Sequence, residues 1–248
     1  MDVRAILFDV NGTLIDIETD EGLEEIYRAI GHFLLYQGIS LHRWEVRDLY
    51  FQIMQRQRAK STEKFVEWDA VEVWREFLRT VSTDTTFSLS LEKQEQLPLF
   101  LAELHRGIAR KRLRPYPQVI EALEQLRPQY RLGVVSDAQS AYAVPELQAV
   151  GLRDYFDPII ISGDYGYRKP DTRLFQKALT ALKIRPEQAI FVGNDLYHDI
   201  AGAQQVGMKA VFVSYNQSNT LSQAIMPDYT ISRFAALPQA INYLITLQ

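Results

Sequence analysis

The sequence predicts an α/β fold, a Rossmann-like doubly wound parallel sheet core with an inserted all-helical segment. Three observations predict it. A short apolar segment opens the chain at residues 3–8. About a hundred residues of helical periodicity follow, with no strand pattern. From residue 117 onward, short apolar strands alternate with helix-patterned segments, the signature of a parallel sheet covered on both faces.

The opening strand, apolar except for Arg4, stops at the polar, glycine-containing turn Asp9-Val10-Asn11-Gly12-Thr13. Residues 21–37 place Leu23, Ile26, Tyr27, Ile30, Phe33 and Leu34 at three- and four-residue steps, with Gly38 as a stop. A second helix is expected to run from a Ser40 cap to about residue 58, a third over 65–81, and a fourth over 91–108 with Ser90 as its cap. Beyond these, helices are expected at 119–126, 141–150, 172–182, 199–206 and 234–246, and strands at 131–136, 158–162, 189–193, 210–214 and 228–231. The domain expectation is a core of residues 1–16 and 114–248, with a helical cap of residues 17–113 inserted after the first strand. Trp44, Trp68 and Trp74, with Tyr50 and Phe51, are read as the interior of that insertion.

Composition narrows the function. The 248 residues are 47% apolar and 23% charged, enough apolar surface for a folded globular chain. No apolar run approaches the roughly 20 residues of a membrane span. The first residues carry no signal-peptide pattern, so a cytoplasmic location is expected. The absence of cysteine excludes disulfides, thiolate catalysis and cysteine-bound metals, and four histidines argue against a multi-histidine site. A net charge of −4 argues against nucleic acid as partner. The basic run Arg110-Lys111-Arg112-Leu113-Arg114 could draw an anion toward a cleft, but is read here as a solvated linker face.

In open parallel sheets ligands bind beyond the carboxyl ends of the strands. Four polar clusters fall at such ends: Asp9, Ser136-Asp137, the loop Arg168-Lys169-Pro170-Asp171, and Gly193-Asn194-Asp195 with Asp199 beyond. Taken together, Asp9-Val10-Asn11-Gly12-Thr13-Leu14, Ser136, Lys169-Pro170-Asp171 and Gly193-Asn194-Asp195…Asp199 resemble the four motifs of the haloacid dehalogenase-like hydrolases. The helical insertion sits where phosphatases of that superfamily carry a helical cap, and about thirty residues between Ser136 and Lys169 are too few for the alternative cap.

The resemblance implies a set of roles. Asp9 would be the nucleophile, ionised at neutral pH and able to form a covalent ester. Ser136 would bind a phosphoryl oxygen, and Lys169 would neutralise the charge that develops. Gly12, Thr13 and Asp137 would join them around the substrate. Mg²⁺ would be held by Asp9, the backbone carbonyl of Asn11 and Asp195, with Asp199 second-sphere or reaching it through water. A competing alignment pairs Asn194 with Asp199, five residues apart instead of four.

The pattern breaks at Asn11, where phosphatases of the superfamily carry an aspartate that protonates the leaving group. An amide has no carboxylic proton to give. General acid–base help is typically worth ~10²–10⁴ in rate. The expected function is a Mg²⁺-dependent hydrolase of a small phosphorylated metabolite, acting through an aspartyl-phosphate. The alternatives are a 2-haloacid dehalogenase-like hydrolase, or a natural or engineered impaired member that keeps the fold as a binding module. The expected partner is a small anionic substrate, and the expected assembly a monomer or homodimer.

Overall fold

The computed structural model describes residues 2–84, 89–215 and 225–246. In chain order, β1 (Ala5–Phe8) and β2 (Ile15–Thr19) lead into α1 (Glu24–Tyr36), α2 (Arg43–Lys60), α3 (Ala70–Val81) and α4 (Leu91–Ala109). β3 (Arg110–Pro115) and α5 (Val119–Leu126) follow, then β4 (Arg131–Ser136), α6 (Ser140–Ala149), β5 (Ile159–Ile161) and α7 (Thr172–Leu182). The chain ends with β6 (Ala189–Gly193), a wide π-type turn over Leu196–Ala201, α8 (Gly202–Val206), β7 (Lys209–Val213), β8 (Tyr229–Ile231) and α9 (Leu237–Thr246).

Six strands form one parallel sheet in the order β5-β4-β1-β6-β7-β8. Every residue of β1 is buried because the sheet is covered on both sides. Ile6 and Phe8 join the apolar cluster under α5, α6 and α9, while Ala5 and Leu7 join the cluster under α7 and α8. This is the period-two alternation of a strand inside a sandwich of helices. Chain order reverses direction across the sheet at β1, between β4 and β6, which places a crevice at the carboxyl ends of those three strands. Among the described residues no helix is long and apolar enough to cross a membrane.

The helices α1 to α4 pack on one another around a separate cluster that contains Ile26, Tyr50, Trp74 and Phe77. α3 starts on a true cap, with the Asp69 carboxylate accepting from Glu72 N–H. The second helix begins at Arg43 after His42, not at the Ser40 expected from sequence, and Glu45 accepts from His42 N–H at 2.7 Å. Trp68 and Trp74 are interior as expected. Trp44 is not. It lies half-buried under the guanidinium groups of Arg43 and Arg47, at 5.3 and 4.8 Å from its ring centre.

One expectation fails at the edges of the helical stretch. Residues 17–19 and 110–113 are strand, not helix, and belong to an antiparallel ribbon of β2 and β3. Their apolar content is slight: Ile15 is buried in the core, and only Ile17 and Leu113 pack against it, amid charged residues. Their pairing is carried by backbone bonds and by acids opposite bases: Lys111 on Asp20 at 2.7 Å, Arg112 on Asp16 at 2.9 Å and on Glu18 at 2.7 Å, and Arg114 on Asp16 at 2.9 Å. The basic run is thus neutralised across the ribbon.

The block also touches the sheet layer directly. The loop between α2 and α3 bridges to the loop after β5, with Arg168 N–H donating to Phe65 O at 2.9 Å and Glu67 N–H to Gly166 O at 3.0 Å. Arg106 of α4 meets Glu146 of α6 at 2.6 Å.

Candidate active site

Asp9 stands one residue past β1, with its N–H bonded to Val192 O at 3.0 Å. Its neighbours in the sheet, β4 and β6, end at Ser136 and Gly193, so three of the four polar clusters converge by register alone. The fourth comes from the loop after β5. Lys169 Nζ reaches in to Asp9 Oδ1 at 2.7 Å, Asp199 Oδ1 at 2.6 Å and Val135 O at 3.2 Å. Lys169, Asp9 and Asp199 are all buried. Burial disfavours an ammonium, yet the Asp199 and Asp9 carboxylates outweigh it and hold Lys169 above the usual lysine range. Burial pushes Asp199 up to about 7, against the pull of Lys169.

Thr13 completes the turn. Its hydroxyl lies 3.1 Å from Asp9 Oδ2 and 3.0 Å from Asn194 Oδ1. Gly12, at φ 82°, allows the turn to close, and a Cβ there would fall 2.5 Å from Asn194 Nδ2. Ser136 Oγ and Asn11 Oδ1 are buried with no hydrogen-bond partner among the described residues. Unpaired buried polar atoms are costly, and two of them in the segments that end β1 and β4 suit a polar ligand. The Asp137 carboxylate accepts from Lys169 N–H at 2.9 Å, and burial raises its pKa against the pull of Lys169.

The acids after β6 divide in a way the spacing did not decide. The Asp195 carboxylate faces the following turn, where Oδ1 accepts from Tyr197 N–H at 2.8 Å and His198 N–H at 2.7 Å, and Oδ2 lies 3.3 Å from His198 Nδ1. Asn194 is the residue turned toward Thr13. Asp199 folds back under the strand end, its Oδ2 accepting from the N–H groups of Asn194 and Asp195 at 3.0 Å each. Gly193 is required there, since a Cβ would lie 2.4 Å from Asp199 Oδ2.

Among the described residues no three His, Cys, Asp or Glu side chains converge as a metal cluster. The oxygens gathered around Thr13 and Lys169 are those of Asp9, Asp199 and the Asn194 amide, a set that suits a hard divalent cation with few protein ligands and several waters.

Sequence reasoning missed a polar seam. Gln139, buried just past Asp137, accepts from Ala70 N–H at 2.8 Å and donates to Trp68 O at 2.5 Å. Ser162 donates to Glu67 at 2.8 Å, and burial raises the Glu67 carboxyl against that bond. These residues lie 69–95 positions apart, and nothing local in the chain announces their pairing.

A doubly wound sheet with a buried carboxylate–lysine–carboxylate cluster at its switch point defines a hydrolase-type α/β protein. The family model for haloacid dehalogenase-like hydrolases matches residues 3–207, and the chain belongs to that family. It is 30% identical over 217 residues to a glyceraldehyde 3-phosphate phosphatase of Methanothermobacter thermautotrophicus, covering 86% of each chain. It is 28% identical over 156 residues to the pyrophosphatase PpaX of Bacillus mycoides, covering 62% of this chain and 72% of the relative. Its fold superposes on the crystal structure of a 2-haloacid dehalogenase from Pseudomonas syringae with a TM-score of 0.73 at 23% identity, covering 98% of this chain and 99% of the other.

Proposed function

We propose that the protein is a Mg²⁺-dependent phosphohydrolase acting on a small phosphorylated metabolite through an aspartyl-phosphate at Asp9. The observation that carries this reading is the Asp9 carboxylate held by Lys169 at 2.7 Å beside the unpaired, buried Ser136 hydroxyl. A phosphoryl group there would accept from Ser136 and share the Lys169 charge. One relative compared by sequence is named a glyceraldehyde 3-phosphate phosphatase and the other a pyrophosphatase, which supports a phosphorylated substrate.

In this reading Asp9 attacks phosphorus, the bond to the leaving oxygen breaks, and water later attacks phosphorus to free Asp9. Bound Mg²⁺ would supply positive charge between the Asp9 carboxylate and the phosphate. Asp9 and Asn194 would hold it, with Asp199 behind them. The assignment of Asn194 in preference to Asp195 is supported by the engagement of both Asp195 oxygens with its own turn. Residues 17–113 would serve as a cap that excludes water from the transfer step, on a core of residues 1–16 and 114–248.

Asn11 leaves the leaving oxygen without a carboxylic proton donor. The test is Asn11→Asp, assayed with Mg²⁺ on phosphomonoesters and, in parallel, on 2-haloacids. Turnover of phosphomonoesters should rise by ~10²-fold or more. Haloacid turnover with inert phosphomonoesters would contradict the proposal.

A further inference from the structure

We propose that Tyr215 is a positioning residue for the nucleophile, acting through the backbone of Thr13. The inference rests on the phosphohydrolase reading and adds to it a residue outside the four motifs. Tyr215 follows β7, and its hydroxyl donates to Thr13 O at 2.6 Å, across 202 residues of sequence. Thr13 is fully buried, so its carbonyl has no access to solvent.

Three further features make this contact a strut. The Tyr215 ring stacks on Tyr116, with centroids 4.0 Å apart and planes at 17°. Tyr116 is the first residue after β3, and its N–H donates to Leu14 O at 2.9 Å. The consecutive carbonyls of Thr13 and Leu14 are therefore held by two stacked tyrosines, one at the return from the helical block and one at the end of the sheet. Finally, Tyr215 has a φ of 33°, a left-handed conformation that a bulky L-residue rarely adopts. Such backbone strain is kept where the surroundings hold it in place, and it clusters at functional sites. The preceding residue is pinned by Ser214 N–H to Ile231 O at 2.9 Å, so the turn that aims the Tyr215 ring starts from a fixed strand end.

The consequence follows through Thr13. Fixing its carbonyl fixes the Thr13–Leu14 peptide plane, and so steadies the backbone that carries the hydroxyl lying 3.1 Å from Asp9 Oδ2 and 3.0 Å from Asn194 Oδ1. Asp9 then has one oxygen set by Lys169 and the other by Thr13, which presents the carboxylate in one orientation. Displacements on the order of an ångström in an attacking group cost about a hundred-fold in rate.

The test uses the full chain with Tyr215→Phe and Tyr116→Ala. The first removes only the donor, and the second removes the stack and keeps the donor. On a phosphomonoester that the wild type hydrolyses, Tyr215→Phe should lower kcat by about ten-fold or more with KM changed less than about two-fold, since the residue touches no substrate. Tyr116→Ala should shift kcat in the same direction by less. Fluorine NMR of beryllofluoride with Mg²⁺, a phosphoryl mimic that needs no turnover, should show a bound signal in the wild type and a weaker one in Tyr215→Phe. Equal kcat and equal beryllofluoride binding in wild type and Tyr215→Phe would overturn the inference alone. Absence of a bound signal and of turnover in the wild type would overturn the phosphohydrolase reading and this inference with it.

Discussion

Two of the molecule's buried polar clusters are treated differently. At the strand ends, Lys169, Asp9 and Asp199 are nearly inaccessible, and the ammonium is fully engaged, with two carboxylates and a carbonyl within 3.2 Å. In the helical block, His105 is equally buried, but neither ring nitrogen has a partner among the described residues, and nor does Trp74 Nε1. His105 is held instead by ring packing, stacked on Tyr50 at 4.7 Å and edge-on to Tyr27 at 5.8 Å. The fold satisfies each charge of the first cluster with an opposite charge or a carbonyl. The second works as aromatic filler whose polar atoms are a liability. Charge is buried with its partners at the strand ends, and shape alone is retained in the block.

The comparison can be broken first at Lys169. Lys169→Met preserves most of the volume but leaves two buried carboxylates without a cation. Removing one partner of a buried pair costs about 3–5 kcal/mol, so the urea midpoint should fall by that equivalent and activity should vanish. A variant as stable as wild type would show that the cluster is not electrostatically coupled.

The second break is acid. Burial, aided by Arg106, pushes the His105 pKa down to about 4, below the roughly 6.5 of an exposed histidine. A base depressed in the folded state contributes stability that is present above the unfolded value and lost as pH falls toward the folded one. Stability should therefore drop by about 3 kcal/mol between roughly pH 6.5 and 4 on this account alone. His105→Phe keeps the ring contacts and removes the titration. Its urea midpoint should be flatter over that window, and a curve parallel to wild type would refute the assignment.

The two regions also differ in how far the sequence announced them. β1, β4, β6 and β7 were legible because strands buried on both faces are short apolar runs, Asp9 and Ser136 as polar residues at the ends of two of them, and Lys169 as part of a polar cluster in the loop after β5. The choice between Asn194 and Asp195 was not. Asp195 O accepts from both Asp199 N–H at 3.0 Å and Ile200 N–H at 3.1 Å, and what decides between the two residues is that the Asp195 carboxylate turns onto the N–H groups of Tyr197 and His198, which spacing alone does not reveal. The β2–β3 ribbon escaped because cross-strand charge pairs dominate it and only Ile15, Ile17 and Leu113 turn toward the core, too few to mark two strands. Gln139, Glu67 and Tyr215 escaped for another reason: each acts across a long sequence separation, where no local pattern exists.

The central claim is that Asp9 makes the covalent bond. The direct measurement is rapid acid quench of the wild type with Mg²⁺ and a hydrolysable phosphomonoester, followed by peptide mass spectrometry. With Asn11 unable to act as a base for the second step, a phosphoryl adduct should accumulate on the peptide containing Asp9, and Asp9→Asn should abolish it. Multiple turnovers by wild type with no adduct on that peptide, or an adduct that persists in Asp9→Asn, would contradict the account.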